Sequence, residues 1–329
     1  FYTIKIFNIQ LLKFNYIIIY FYYLMRAILF PGQGSQYVGM GLDFYEKFDL
    51  AKKIFETVDK SLGFSLSKII FNGPQEELQL TQNTQPAIMT VGVSIFNVLN
   101  QEYGLKLNNA SFFAGHSLGE YTALVCAGSL TLEKAAYLLN ERGKSMQDSA
   151  SSKQGAMLAV LGMTIDEVEA EINLLPKGGV CEISNDNSNM QIVVSGEKKI
   201  IENFNENLKR KKKKGILLPV SAPFHCSLMK KAAEKMRDKI ENTNFVKPKP
   251  NIISNVTAKE ENDVNKIKPL LVDQITSRVR WRESVNYMTK SGVTKFLEIG
   301  PGKVLSSLVK KINRDVEISN INSIEDIKK

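Results

Sequence analysis

Short apolar runs alternate with helix-patterned stretches along most of this 329-residue chain, and that alternation leaves few architectures open. Ala27 to Phe30 reads as a strand running into the turn "PGQGSQ", and "DLAKKIFETVDKSLG" follows with helical spacing. "QPAIMTVGVSIFNVLNQEYG" reads as a long buried helix ended by Gly104, and "ASFFAG" as a strand. "EYTALVCAGS" and "TLEKAAYLLNERGKSMQ" read as two more helices, the second with Thr131 as its N-cap. Strands separated by helices pair side by side in the same direction, so the expectation is an α/β domain with a mainly parallel sheet.

Residues 153–220 depart from this pattern. There a strand ("GAMLAVLG"), a helix ("TIDEVEAEINLL"), two strands ("VCEISND", "QIVVSG"), a helix ("EKKIIENFNENLKRKKK") and a strand ("ILLPV") follow one another. That β-α-β-β-α-β order is the ferredoxin-like arrangement. The chain then returns to the first pattern with "NIISNVTA" and "KFLEIGPG". The expected organisation is a large α/β domain from 26–152 and 221–329, a ferredoxin-like small domain at 153–220, and an N-terminal extension at 1–25.

Residues 1–24 carry two lysines, no acids and many Ile, Tyr and Phe. The uncharged run from Phe14 to Met25 is twelve residues, against roughly 20 for a membrane-spanning helix. No stable membrane insertion is expected. A targeting segment and sequence translated from upstream of Met25 are the two readings of this stretch.

Composition narrows the chemistry mainly by exclusion. Three scattered cysteines cannot build a disulfide framework, which points to a reducing, cytoplasmic setting. With only two histidines and no CxxC, no metal site is expected. A net charge of +9 suggests an acidic partner without choosing one. The run "KRKKKK", 209–214, is either a solvated face at a helix end or a docking patch, and no nucleic-acid-binding module accompanies it.

Between "ASFFA" and "EYTALVCAG" stands "GHSLG", residues 115–119. A nucleophile elbow needs a strand, a turn too tight for large neighbours and then a helix, so that the serine projects and the helix N-terminus faces developing negative charge. Ser117 is placed for that role, or it is a helix N-cap flanked by packing glycines. A nucleophilic serine needs a base. His116 adjoins Ser117, and neighbouring side chains leaving a strand point to opposite sides, so it is a poor base. His225 in "VSAPFHC" remains, as the base or as a buried structural histidine. The amide of Leu118, after the serine, is one candidate oxyanion donor, and that of Gln33 in the glycine-rich "PGQGS" loop is another. Arg142 in "NERGKSMQ", were it to reach such a site, would grip a carboxylate with two hydrogen bonds.

With "PGQGSQ", "TQPA", "GHSLGEY", "ERGKSMQ" and "VSAPFHC" in this order, the chain resembles the malonyl-CoA:acyl carrier protein transacylases of type II fatty acid synthesis. The similarity spans about residues 26 to 312. It implies a hydrolase-like α/β domain with a ferredoxin-like insertion, and a ping-pong transfer from malonyl-CoA to the phosphopantetheine thiol of acyl carrier protein. By that resemblance Ser117 is the acylated nucleophile, His225 the general base, Arg142 the malonyl carboxylate clamp, and the Gln33 and Leu118 amides the oxyanion hole. It further implies that the backbone carbonyl of Gln274, in "VDQI", orients the histidine, so that no aspartate completes a triad. Asn185 and Gln85 are implied to line the site, and Phe224 to fill the space an α-methyl branch needs. No cofactor is implied, and the enzyme is expected to be monomeric. The remaining alternatives are a serine esterase, which normally has an acid between Ser and His, and a binding module with a vestigial site. An organelle of bacterial origin is the alternative location if 1–24 is a leader.

Overall fold

The computed structural model describes residues 26–151, 155–220 and 222–328. The reading of 1–24 as leader or upstream sequence lies outside these residues.

A six-stranded sheet forms the centre of the molecule, in the order β10-β9-β1-β2-β7-β8. Its strands are β1 (Arg26–Phe30), β2 (Phe112–Gly115), β7 (Asn251–Ile253), β8 (Glu260–Glu261), β9 (Lys295–Ile299) and β10 (Glu317–Ile321). All pair in parallel except β7 with β8. β1 from Ala27 onward and all of β2 are apolar because helices cover both faces of a parallel sheet. The covering helices include α1 (Thr81–Gln101) and α2 (Gly119–Cys126) on one face and Trp281–Lys290 and Val304–Ile312 on the other, while α3 (Leu132–Ser151) packs on α1.

The intervening segment forms a separate four-stranded antiparallel sheet, ordered β4-β5-β3-β6. Here β3 is Gly155–Leu161, β4 Cys181–Ser188, β5 Gln191–Glu197 and β6 Lys214–Leu217, with helices α4 (Ile165–Asn173) and α5 (Lys198–Arg210) between them. Both helices pack their apolar stripes on one face of this sheet, closing a cluster of its own around Leu158, Val168, Ile192 and Phe204. The Thr164 hydroxyl and the Glu167 carboxylate close a capping box at the start of α4.

Two boundaries differ from the sequence reading, each for a physical reason. The long helix begins at Thr81, four residues before "QPA". Pro86 is therefore inside α1 and removes the N–H that would bond the Gln82 carbonyl. Asn140 of α3 supplies that donor instead, its Nδ2 lying 2.9 Å from the Gln82 oxygen. The last strand of the small sheet runs over 214–217 rather than "ILLPV". It is an edge strand, paired only with Leu158–Leu161 of β3, so backbone register rather than side-chain pattern sets its span. The turn at Lys212 (φ 58°) starts it early, and Pro219 falls beyond its end.

The two sheets meet where β4 docks on the segment before the helix Trp281–Lys290. The Asp186 amide donates to the Val279 carbonyl (2.9 Å) and the Val279 amide to the Ser184 carbonyl (2.8 Å). Arg282 clasps the fully buried Asp186 carboxylate with both arms of its fork, at 2.8–3.1 Å.

Candidate active site

Ser117 sits at the bend between β2 and α2 with φ 54°, a left-handed conformation that costs a non-glycine residue energy. The surroundings over-determine it. A Cβ on Gly115 would lie 1.9 Å from the Gly119 carbonyl carbon, and one on Gly119 would lie 2.3 Å from the Phe30 carbonyl oxygen. Only glycines on both sides let α2 start against the ends of β1 and β2. The Ser117 amide donates to Asn255 Oδ1 (2.7 Å), while Asn255 Nδ2 donates to the Gly115 carbonyl (2.7 Å). One carboxamide thus ties both sides of the bend.

His225 is brought to this bend from 108 residues away, and Ser117 Oγ lies 2.8 Å from its Nε2. Its Nδ1–H donates to the Gln274 backbone carbonyl at 2.8 Å. That bond fixes the tautomer, leaving the Nε2 lone pair facing the hydroxyl. Burial, reinforced by the nearby Arg142 charge, pushes the imidazole down to about 3, so it stays neutral and able to accept a proton.

Arg142 is fully buried. Its Nη1 donates to Gln85 Oε1 (2.7 Å), and its Nη2 donates to Gln274 Oε1 (2.8 Å) and to Ser117 Oγ (3.1 Å). Its Nε has no hydrogen-bond partner among the described residues. Contact between α1 and α3 is what delivers it. A Cβ on Gly143 would meet Gln82 Cα at 2.4 Å, so the glycine next to Arg142 allows the two helices to touch and brings Gln85 within reach. The Arg142 guanidinium also faces the Tyr121 ring, 5.9 Å from its centroid.

Ser117, His225, Arg142 and Gln85 line one cleft of about 270 Å³ between the two sheets, bordered also by Gln33, His116, Asn185 and Phe224. The Leu118 amide begins α2 beside Ser117. Neither the Gln33 nor the Leu118 amide has a protein acceptor among the described residues, which leaves both donors available to a developing oxyanion. β4 bulges at Ser184 and again at Asn187, and Asn185 Oδ1 accepts from the Ser184 hydroxyl (2.9 Å). The bulges and the alternation of β4 turn Asn185 and Asn187 to the cleft while Asp186 between them turns away to Arg282.

His116 borders the same cleft rather than its far side, because the chain at Ser117 is bent and strand alternation no longer applies. Its Nε2 is 2.9 Å from Asn187 Oδ1 and its ring packs 5.7 Å from that of Trp281, so His225 remains the histidine on Ser117. Three residues in this arrangement were not singled out by sequence: Asn255, Asn187 and Glu120. The buried Glu120 carboxylate accepts from Gln274 Nε2 (2.7 Å) and from the Asn255 amide (3.1 Å). Its place in "GHSLGE", one helical turn past the serine, was the available signal. Chemically, the cleft joins a hydroxyl, a neutral base, two spare amide donors and a buried guanidinium, the parts required to acylate a serine with a group bearing a carboxylate.

The acyl transferase domain family matches residues 28–329. The malonyl CoA-acyl carrier protein transacylase of Bacillus subtilis is 42% identical over 303 residues, covering 92% of this chain and 94% of the relative. Among solved structures, the acyl-carrier-protein-S-malonyltransferase of Bartonella henselae superposes with a TM-score of 0.90 at 42% identity, covering 93% of this chain and 98% of that one. A malonyl-transacylase solved in complex with a type II PKS acyl carrier protein superposes with a TM-score of 0.88 at 38% identity, over 92% of this chain and 97% of that one.

Proposed function

Because the chain belongs to the malonyl CoA-acyl carrier protein transacylases of the acyl transferase family, we propose that it moves a malonyl group from malonyl-CoA to the phosphopantetheine thiol of acyl carrier protein, with Ser117 as the relay. The observation that carries this reading is the fully buried Arg142 guanidinium 3.1 Å from a serine hydroxyl that is itself 2.8 Å from a neutral imidazole. In malonyl a single methylene separates the carboxylate from the thioester carbonyl. A carboxylate held on Arg142 therefore sets that carbonyl beside Ser117 Oγ.

Ser117 Oγ attacks the thioester carbon as His225 Nε2 takes the hydroxyl proton. The carbonyl oxygen becomes an oxyanion received by the Gln33 and Leu118 amides. Collapse breaks the carbon–sulfur bond, and CoA leaves as the thiol with the proton from His225. The phosphopantetheine thiol then gives its proton to His225 and attacks the malonyl ester. Breaking of the ester carbon–oxygen bond returns the proton to Ser117. Gln274 holds the imidazole through its carbonyl, while Gln85 and Asn185 shape the cleft around the acyl group. Phe224 stands where an α-methyl branch would go, which favours malonyl over methylmalonyl by about 1–3 kcal/mol.

Incubation with radiolabelled malonyl-CoA, followed by peptide mapping, tests the reading. Label on the peptide containing Ser117 that is discharged to acyl carrier protein is expected. Rapid release to water would make the protein a hydrolase, and no labelling would leave a binding module.

In the basic run, Lys209 pairs with Glu206, Lys211 with Glu171 and Lys213 with Glu167. Lys212 and Lys214, like Arg210, make no ion pair among the described residues, and they are cations of the run available to an acidic carrier. Replacing both with Ser should raise the apparent KM for carrier about two- to fivefold at low salt, with the difference shrinking at high salt. An unchanged KM would reduce the run to a solvated face.

No helix among the described residues is long and apolar enough to cross a membrane. On the reading proposed here the enzyme works in the cytoplasm as a monomer. The large domain, 26–152 and 221–329, carries the nucleophile and base, and the small domain, 153–220, closes over them.

A further inference from the structure

We propose that Glu120 is a positioning residue that aims the carboxylate-selecting Arg142 through the side chain of Gln274. The inference rests on the transacylase reading of the same cleft and adds a residue to it.

The Gln274 carboxamide lies between two charged side chains of opposite kind. Its Oε1 accepts from Arg142 Nη2 at 2.8 Å, and its Nε2 donates to Glu120 Oε2 at 2.7 Å and to the Ser117 carbonyl at 3.1 Å. A guanidinium only donates and a carboxylate only accepts, so just one of the two amide orientations satisfies both neighbours. Reversal would set NH₂ against guanidinium and carbonyl against carboxylate. Glu120 thereby fixes which atom Arg142 meets, and so where Nη2 points relative to Ser117 Oγ.

Glu120 and Gln274 are 2% and 1% exposed, so water cannot substitute for either bond. Glu120 also touches the bend, since its Oε2 accepts the amide of Asn255, whose side chain holds Ser117. These two routes have different consequences. Loss through Asn255 would impair attack by Ser117 on any acyl-CoA. Loss through Gln274 would impair chiefly those acyl groups that need Arg142.

The test measures the rate of Ser117 labelling by malonyl-CoA and by acetyl-CoA across one set of variants. In Glu120→Leu the malonyl-to-acetyl ratio should fall about tenfold or more, mainly through KM for malonyl-CoA. Glu120→Gln should recover most of the ratio, because one carbonyl oxygen can accept both hydrogen bonds that Oε2 accepts. Gln274→Leu, which keeps the backbone carbonyl on His225, should lower the ratio by itself, and adding Glu120→Leu to it should lower the ratio no further. If Glu120→Leu fails to fold, the Gln274→Leu and Glu120→Gln arms still decide.

Equal loss for both substrates, additive losses in the double variant, or an unchanged ratio in Gln274→Leu would overturn the inference while leaving the transacylase reading in place. Wild-type protein that takes no malonyl label would overturn that reading, and the inference with it.

Discussion

His225→Ala should slow malonylation of Ser117 by about 10²- to 10⁴-fold, the range lost with a positioned general base. No second base compensates. His116, the other histidine of the chain, is bonded to Asn187, and Glu120 faces Gln274 and Asn255. Single-turnover label uptake reads this loss directly, and a loss under tenfold would count against His225 as the base.

The same residue predicts an unusual pH profile. An ordinary histidine would give an acid limb near 6.5, but burial and Arg142 hold His225 at about 3. In Glu120→Gln, which removes the other group of the cleft that titrates near neutrality, labelling should therefore show no limb near 6.5, and a limb there would contradict the buried imidazole. The effect on stability follows in sign. Between about 6.5 and 3 the unfolded chain takes a proton that the folded imidazole refuses, so the stability contributed by His225 is present above 6.5 and lost as pH falls toward 3. Glu120 acts in the opposite sense. Burial raises its carboxyl from 4.5 to about 7, against the opposing pull of its hydrogen bonds and of Arg142. Its contribution is present below 4.5 and is lost as pH rises through 7. Unfolding midpoints across pH should be flatter on the acid side in His225→Ala than in wild type.

Arg142→Ala should reduce malonyl-CoA use by about 10²- to 10³-fold while reducing acetyl-CoA use far less, since truncating one partner of a buried charge pair costs about 2–5 kcal/mol. The selectivity comes from the carboxylate, which acetyl lacks. Some loss is common to both substrates, because Arg142 Nη2 also donates to Ser117 Oγ and because Glu120 loses its countercharge. The measurement is therefore the ratio of kcat/KM values, and equal losses would refute the clamp. Arg142→Lys should restore charge but only part of the ratio. An ammonium cannot reproduce the fork that reaches Gln85, Gln274 and Ser117 together.

Much of this was legible in one dimension. The β-α-β-β-α-β order of 153–220, with the apolar stripes of α4 and α5, marks the antiparallel layer, while short apolar strands such as β1 and β2 separated by helices mark the parallel one. The glycines around Ser117 mark the bend because no other residue fits there. Less legible were elements whose limits depend on a neighbour. α1 extends upstream of Pro86 because Asn140, on another helix, bonds the carbonyl that proline leaves open. β6 starts early because β3 sets its register. Asn255 was missed altogether, since nothing local separates it from any asparagine after a strand, and its role exists only through contacts more than a hundred residues distant.

What the sequence determined by itself is the order of the elements, the tight bend bearing Ser117, and the small stock of residues able to act on it, because periodicity, steric exclusion and the count of histidines are local or compositional properties. Only the tertiary structure decided that Arg142 is fully buried, that its fork meets Gln85, Gln274 and the nucleophile, and that Glu120 orients the amide between them. Desolvation and hydrogen-bond direction belong to whatever packs around a group, and here the neighbours of Arg142 come from α1, the β2–α2 bend, α2 and the turn after the helix Val264–Asp273.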